Sequence, residues 1–132
     1  SQVGTWKLNV AKSKYSPGPL PKSATTVITA AGQGVKLVVD QAMADGTMRH
    51  WEITANYDGQ DSKVIGNNPD ADTIARTRVN PSTVQTVSKK GGKVTTTQSS
   101  VVSADGKTRT VTTTGVNAAG QKVNNVGVYE KQ

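Results

Sequence analysis

Cysteine and phenylalanine are absent from this chain of 132 residues, and histidine occurs once. Without cysteine there can be no disulfide, no thiolate metal site and no cysteine nucleophile. A single histidine excludes a metal site built from several histidines, and no glycine-rich phosphate loop precedes a helical pattern. No run of about 18 apolar residues occurs, so no membrane span is expected. We therefore expect no metal, no cofactor and no transmembrane helix.

Aromatic residues are also scarce, at 4% of the chain, whereas valine and threonine are abundant. Valine and threonine favour strands, and no segment shows the apolar spacing of a helix. We expect any internal cavity to be walled by Val, Ile, Leu and Thr, which makes it partly polar and wet. The length suits a single domain covering residues 1–132.

Short strand-forming runs alternate with turn sequences such as Asp45-Gly46 and Asp105-Gly106, which are typical of hairpins. Nine connections predict ten strands, at residues 4–10, 23–31, 35–43, 47–56, 62–65, 72–79, 83–90, 93–103, 107–116 and 122–131. Ten consecutive antiparallel strands are expected to remove their edges by closing as an up-and-down β-barrel. A β-sandwich is the alternative, but its crossovers usually need longer connections.

A proline-rich segment interrupts this pattern between residues 11 and 22. It contains Ser16-Pro17-Gly18-Pro19-Leu20-Pro21. Alternate prolines remove backbone donors and fix φ, so this segment cannot propagate a helix. We expect it to form a loop that covers one end of the barrel.

The two ends of the chain resemble those of a known family. Gly4-Thr5-Trp6-Lys7-Leu8 and Val128-Tyr129-Glu130-Lys131 are similar to the ends of lipocalins and fatty-acid-binding proteins, the calycin barrels. The resemblance implies a non-enzymatic carrier that holds a small amphipathic ligand, such as a fatty acid, inside the barrel. It also implies that Trp6 plugs the closed end and that Tyr129 belongs to an Arg-x-Tyr pair that binds the ligand carboxylate.

The chain departs from this family in two places. Gly127 stands where the Arg-x-Tyr pair has its arginine, and the missing side chain opens space beside Tyr129 for a larger head group. The proline-rich segment stands where fatty-acid-binding proteins have a helix-turn-helix lid.

Strand alternation places all four arginines on inward faces. Arg49 shares its face with Trp51 and Ile53, Arg76 and Arg78 share theirs with Ile74, and Arg109 shares its face with Val111. A charged guanidinium inside a barrel is costly unless a carboxylate, water or an anionic ligand matches it. Structural ion pairs or snorkelling to the rim are one explanation, and an anionic ligand is the other. Few acids share the inward faces, so we favour the ligand and predict these binding residues: Arg49, Trp51, Ile53, Arg76, Arg78, Arg109 and Tyr129.

An enzyme is the second class of function considered. The one candidate acid–base pair is His50 with Glu52, and alternation places both on the outer face. An exposed pair of this kind is usually a solvated surface contact. We predict no catalytic residues and no enzymatic activity.

The chain is basic, with 16 Lys and Arg against 9 acids and a net charge of +7. Lys89, Lys90, Lys93 and Lys107 lie on two neighbouring hairpins and support an alternative function, a basic surface that binds polyanions or a protein partner. We expect no nucleic-acid partner, because no aromatic residues are interleaved with these lysines. We expect a monomer, and the start at Ser1-Gln2 fits a mature secreted or periplasmic chain, with the cytoplasm as the alternative.

Overall fold

The computed structural model describes residues 2–132 and shows an all-β fold, as the composition predicts. This part of the chain forms one 3₁₀ turn, η1 (Val10–Lys12), and twelve strands: β1 (Gly4–Leu8), β2 (Lys14–Ser16), β3 (Ser23–Ala31), β4 (Gly34–Ala42), β5 (Met48–Ala55), β6 (Asp58–Lys63), β7 (Ile65–Gly66), β8 (Thr73–Asn80), β9 (Thr83–Lys90), β10 (Lys93–Val102), β11 (Thr108–Val116) and β12 (Lys122–Lys131). No helix within residues 2–132 has the length and apolar character needed to cross a membrane.

The strands form one antiparallel sheet in the order β6-β8-β9-β10-β11-β12-β1-β3-β4-β5-β7. At one end of this order β6 pairs with β8, and at the other end β7 pairs with β5. Val64 alone separates β6 from β7 along the chain, so the two ends of the sheet come together. The sheet is therefore an almost closed barrel, which confirms the predicted architecture and leaves few unpaired strand edges.

The strand count differs from the predicted ten for two local reasons. The expected fifth strand at 62–65 is instead β6 and β7, which pair with different neighbours. The expected loop at 11–22 contains the short strand β2, in which Tyr15 pairs with Asn125 of β12. Asn125 Oδ1 also accepts a hydrogen bond from the backbone N–H of Ser16 at 3.0 Å. The prolines that follow end the strand, because they lack the backbone donor that a ladder needs.

Trp6 lies at the closed end of the barrel, as the alternation of β1 and the family resemblance imply. Its side chain is fully buried, and its Nε1 donates a hydrogen bond to the backbone oxygen of Gln2 at 2.9 Å. Antiparallel pairing brings the β3–β4, β8–β9 and β10–β11 turns to this same end.

The opposite end of the barrel is its mouth. The segments that surround it are residues 17–21, 43–45, 68–70 and 117–121. Two of them are tied together, because Asp70 Oδ1 accepts a hydrogen bond from the backbone N–H of Ala118 at 2.9 Å. The mouth is therefore covered by turns and by the proline-rich segment, and in the described chain no helical lid lies over it.

Candidate ligand-binding site

A cavity of about 630 Å³ runs from the mouth into the barrel. Pro17 and Pro19 line its outer end, while Arg109 and Tyr129 line its inner part. Cavities of roughly 300–1,000 Å³ accommodate small organic ligands in proteins. The alternation of each strand points one set of side chains into this space.

Arg76 is the most unusual side chain in the cavity. It is 2% exposed, and its Nε and Nη2 make no hydrogen bond to any residue between 2 and 132. Its guanidinium lies 5.6 Å from the ring centroid of Tyr57. Burial lowers the pKa of Arg76 below its ordinary value, because water no longer solvates the charge. Donors buried without partners are rare and costly in proteins, and Arg76 also lines the cavity, so it is a candidate residue for binding an acceptor.

Arg109 lies in the same cavity and is 5% exposed. Its Nε donates a hydrogen bond to Gln2 Oε1 at 2.8 Å, and its Nη2 donates one to Ser100 Oγ at 3.3 Å. Burial, followed by the positive charge of Arg76, lowers the pKa of Arg109 to about 10. The group stays protonated at neutral pH, so the interior carries two positive charges.

Neither arginine has a carboxylate partner within the part of the chain that the structure describes. The ion pairs there join Lys12 to Glu130, Lys36 to Glu52, His50 to Asp40 and Lys89 to Asp61. The structural ion pair considered from the sequence is therefore not formed by Arg76 or Arg109. Their charges are left for water or for an anionic ligand to match.

The other two arginines differ from each other. Arg49 is half-buried and lines the cavity. Arg78 is exposed and does not line it, so the expectation that Arg78 faces the cavity is wrong. Its guanidinium lies 4.2 Å from the ring centroid of Tyr57. Arg78 still pairs in regular register with Val84, whose side chain is buried, but it lies near the closed-end terminus of β8, where a side chain on the inward face is open to solvent rather than to the cavity.

The remaining predicted residues all line the cavity. Ile53 is 1% exposed and Tyr129 is 7% exposed, while Trp51 is half-buried and packs against the core. The guanidinium of Arg109 lies 5.8 Å from the ring centroid of Tyr129. The structure thus brings six of the seven predicted binding residues to one cavity.

The space at Gly127 is filled by the protein itself. A Cβ atom at this position would lie 3.1 Å from Cε1 of Tyr129 and 3.2 Å from the hydroxyl oxygen of Tyr15. The expectation that Gly127 leaves room for a larger head group is therefore wrong. Burial, and then the neighbouring Tyr129, raise the pKa of Tyr15 above its ordinary value, so its hydroxyl keeps its proton. Sequence reasoning missed Tyr15 because three residues of strand show no period.

The cavity wall combines apolar and hydroxyl side chains. β4 and β5 contribute apolar residues, including Leu37, Val39 and Ile53, and β11 and β12 contribute Val111 and Val123. On β3 and on β9 to β11, five hydroxyl side chains line the cavity and make no hydrogen bond to another residue in the described chain: Thr26, Thr86, Ser88, Thr96 and Thr113. The walls are thus a mixture of aliphatic and hydroxyl side chains, as the composition predicts.

The candidate acid–base pair of the sequence lies on the outer surface. His50 Nδ1 lies 2.6 Å from Asp40 Oδ1, and both side chains are exposed, so the pairing partner is Asp40 rather than Glu52. The outward orientation of His50 agrees with the parity argument. No chemistry beyond a solvated surface contact follows from it.

The lysines predicted to cluster are spread along the barrel. Lys90 and Lys93 face each other at the start of β10, whereas Lys107 precedes β11 at the closed end. Ten residues of β10 separate these two ends, which corresponds to about 30 Å. Lys89 is paired with Asp61 at 3.0 Å. The four lysines do not form a single patch.

These features define an almost closed antiparallel β-barrel with an internal, positively charged cavity. No protein-family model matches the chain, and a search of curated proteins found no match. Among solved structures, the chain is similar to the crystal structure of zebrafish ileal bile acid-binding protein complexed with cholic acid. The two chains share 14% sequence identity, with a TM-score of 0.55 over 98% of each chain. This similarity confirms the fold inferred from the chain ends.

Proposed function

We propose that this protein binds a small amphipathic anion inside the barrel, with the anionic group held by Arg76 and Arg109, and performs no chemistry on it. One observation carries the proposal. Among residues 2–132, Arg76 has two buried donors without a partner, and the second buried arginine of the cavity, Arg109, has no carboxylate partner. An anionic oxygen placed there satisfies the donors and matches the charge at once.

The rest of the ligand follows from the shape of the cavity. With its anionic group at the arginines, the apolar part extends toward the mouth along Leu37, Val39 and Ile53. Burial of apolar surface contributes affinity, at roughly 25 cal/mol per Å² removed from water. The charge-assisted hydrogen bonds contribute orientation and discrimination against neutral molecules. This is the binding mode of a carrier or a sequestering protein.

A fatty acid is one ligand of this description, but the hydroxyl side chains of the cavity favour a second class. Five of them make no hydrogen bond to another residue in 2–132 and line the cavity from β3, β9, β10 and β11. A saturated chain leaves those groups unpaired, whereas an anion that carries hydroxyl groups along one edge pairs with them. We therefore favour a hydroxylated anion with one apolar face over a plain fatty acid as the ligand. The similar zebrafish structure contains cholic acid, which supports this order.

Two fluorescent probes test the proposal. Anilinonaphthalene sulfonate is anionic, and phenylnaphthylamine is the matched molecule without the sulfonate. We expect Arg76→Met to weaken binding of the sulfonate by about ten- to a hundredfold, because charge-assisted hydrogen bonds are lost. Binding of phenylnaphthylamine should stay the same. Arg78→Met, two residues along the same strand and outside the cavity, is the matched control.

Equal affinity of the sulfonate for wild type and Arg76→Met would overturn the internal anion site. Titration at high salt then identifies the surface alternative, because binding to exposed lysines is screened and binding to a buried site is screened much less. Displacement of the probe by cholate and by dodecanoate compares the two ligand classes. Stronger displacement by cholate supports the hydroxylated class, and stronger displacement by dodecanoate supports a fatty acid.

A further inference from the structure

Gln2 is buried behind the cavity and contacts Arg109 from a distant part of the chain. It is 3% exposed, and 107 residues separate it from Arg109. Its side-chain nitrogen donates hydrogen bonds to the backbone oxygens of Ser82 at 3.1 Å and Ser100 at 3.2 Å. Its Oε1 accepts the hydrogen bond from Arg109 Nε at 2.8 Å. Both polar atoms of the side-chain amide therefore have hydrogen-bond partners. Gln2 does not line the cavity.

These contacts leave the amide a single orientation. Backbone oxygens accept hydrogen bonds and cannot donate them, so the NH₂ group must face Ser82 and Ser100. The carbonyl oxygen then has to face Arg109. The Nε and Nη2 edge of Arg109 is held by Gln2 and Ser100, and Nη1 has no hydrogen bond to any residue in 2–132. The end of the guanidinium fork is thus directed away from Gln2 and is available to the cavity.

The neutrality of Gln2 is as important as its geometry. A glutamate of the same size at this position would also accept from Arg109, but it would cancel the positive charge. An anionic ligand would then meet a neutral pair and gain much less from Coulomb attraction. An amide holds the arginine in place while leaving its charge uncompensated.

We propose that Gln2 is the positioning and specificity-determining residue of the anion site, which aims Arg109 at the ligand without neutralising it. This inference rests on the proposed function. Gln2 acts through Arg109 and does not touch the ligand. It predicts that changes at Gln2 alter affinity for anions and leave affinity for neutral molecules of the same shape unchanged.

The test uses the sulfonate probe and its neutral partner on the full chain. Gln2→Met removes the hydrogen bonds at similar volume and should weaken the sulfonate about tenfold. Gln2→Glu should weaken it further, because the added carboxylate neutralises Arg109. Phenylnaphthylamine affinity, measured on the same samples, should stay within about twofold of wild type, which also shows that the variants are folded. Gln33→Met and Gln33→Glu make the same changes at an exposed turn of the closed end and should leave both probes unaffected.

A double-mutant cycle with Arg109→Met separates positioning from general support of the fold. If Gln2 acts through Arg109, Gln2→Met should no longer weaken the sulfonate once Arg109 is Met. A structural role would instead weaken both probes equally in both backgrounds, and that result overturns the inference. If Arg109→Met weakens the sulfonate but Gln2→Met does not, the proposed function stands and the role of Gln2 is refuted. If Arg109→Met has no effect on the sulfonate, the anion site itself fails, and the role of Gln2 with it.

Discussion

Replacing Arg76 with methionine should stabilise the ligand-free protein while weakening anion binding. Two of its buried donors have no partner among the described residues, and each costs about 1–3 kcal/mol of stability. The contact with Tyr57, at 5.6 Å, offsets this by about 0.5–2 kcal/mol. Methionine has a similar length and leaves little empty space. Two such donors together cost about 2–6 kcal/mol, so we expect the free energy of unfolding to rise in Arg76→Met, by about 3 kcal/mol at mid-range and by between about 0 and 5.5 kcal/mol across these limits.

The assay is urea unfolding of lipid-stripped protein, followed by tryptophan fluorescence, because Trp6 is fully buried in the folded state. Adding the sulfonate probe at 100 times its wild-type dissociation constant stabilises the wild type by about 2.7 kcal/mol. A variant that binds tenfold more weakly gains only about 1.4 kcal/mol under the same conditions. The probe should thus reduce the difference in free energy of unfolding between Arg76→Met and the wild type.

The reasoning would be refuted if ligand-free Arg76→Met were less stable than wild type by more than about 1 kcal/mol. That loss would mean that the guanidinium is held by favourable interactions within the protein, as in a structural role. Arg78→Met, measured in parallel, shows the effect of losing an arginine that is exposed and stacks on the same Tyr57 ring.

Three further outcomes are expected. Trp6→Ala should lower the free energy of unfolding by about 3–5 kcal/mol in urea, and a loss below about 1 kcal/mol would show that β1 is peripheral. Gly127→Ala should lower the free energy of unfolding by about 1–3 kcal/mol in the same assay, because the new Cβ would lie 3.1 Å from Cε1 of Tyr129 and 3.2 Å from the hydroxyl oxygen of Tyr15. Adding Tyr15→Phe removes that hydroxyl and should restore part of the lost stability. No restoration would contradict this account. Circular dichroism should show a β-dominated spectrum, and a helix content of about 20% or more would contradict the fold.

The sequence alone was sufficient for most of the strands and for the direction of most side chains. Alternation within a strand has a period of two residues, so a bulky apolar neighbour on the same face predicts burial without any tertiary information. That local reasoning placed Trp6, Ile53, Arg76 and Arg109 inside the barrel, where the structure has them buried. The turn pairs and the chain ends were likewise enough to predict a calycin-type barrel.

Local pattern was insufficient where a strand was short or came to its end. β2 is three residues long, too few to show a period, so Tyr15 was assigned to a loop. Arg78 lies near the end of β8, where a side chain on the inward face reaches solvent at the closed end instead of the cavity. The grouping of Lys107 with the other three lysines overlooked the predicted topology, because the two turns that flank one antiparallel strand lie at its opposite ends.

The contacts that complete the site depend on the closure of the barrel. Gln2 meets Arg109 across 107 residues, and Tyr15 reaches the space beside Gly127 from the opposite half of the sequence. Nothing in the neighbourhood of Gln2 along the chain marks it as a partner for an arginine, because the contact exists only when β1 lies between β12 and β3. Composition and alternation therefore determined that positive charge is buried inside a barrel. The tertiary structure decided which atoms hold that charge in place and which of its donors remain for a ligand.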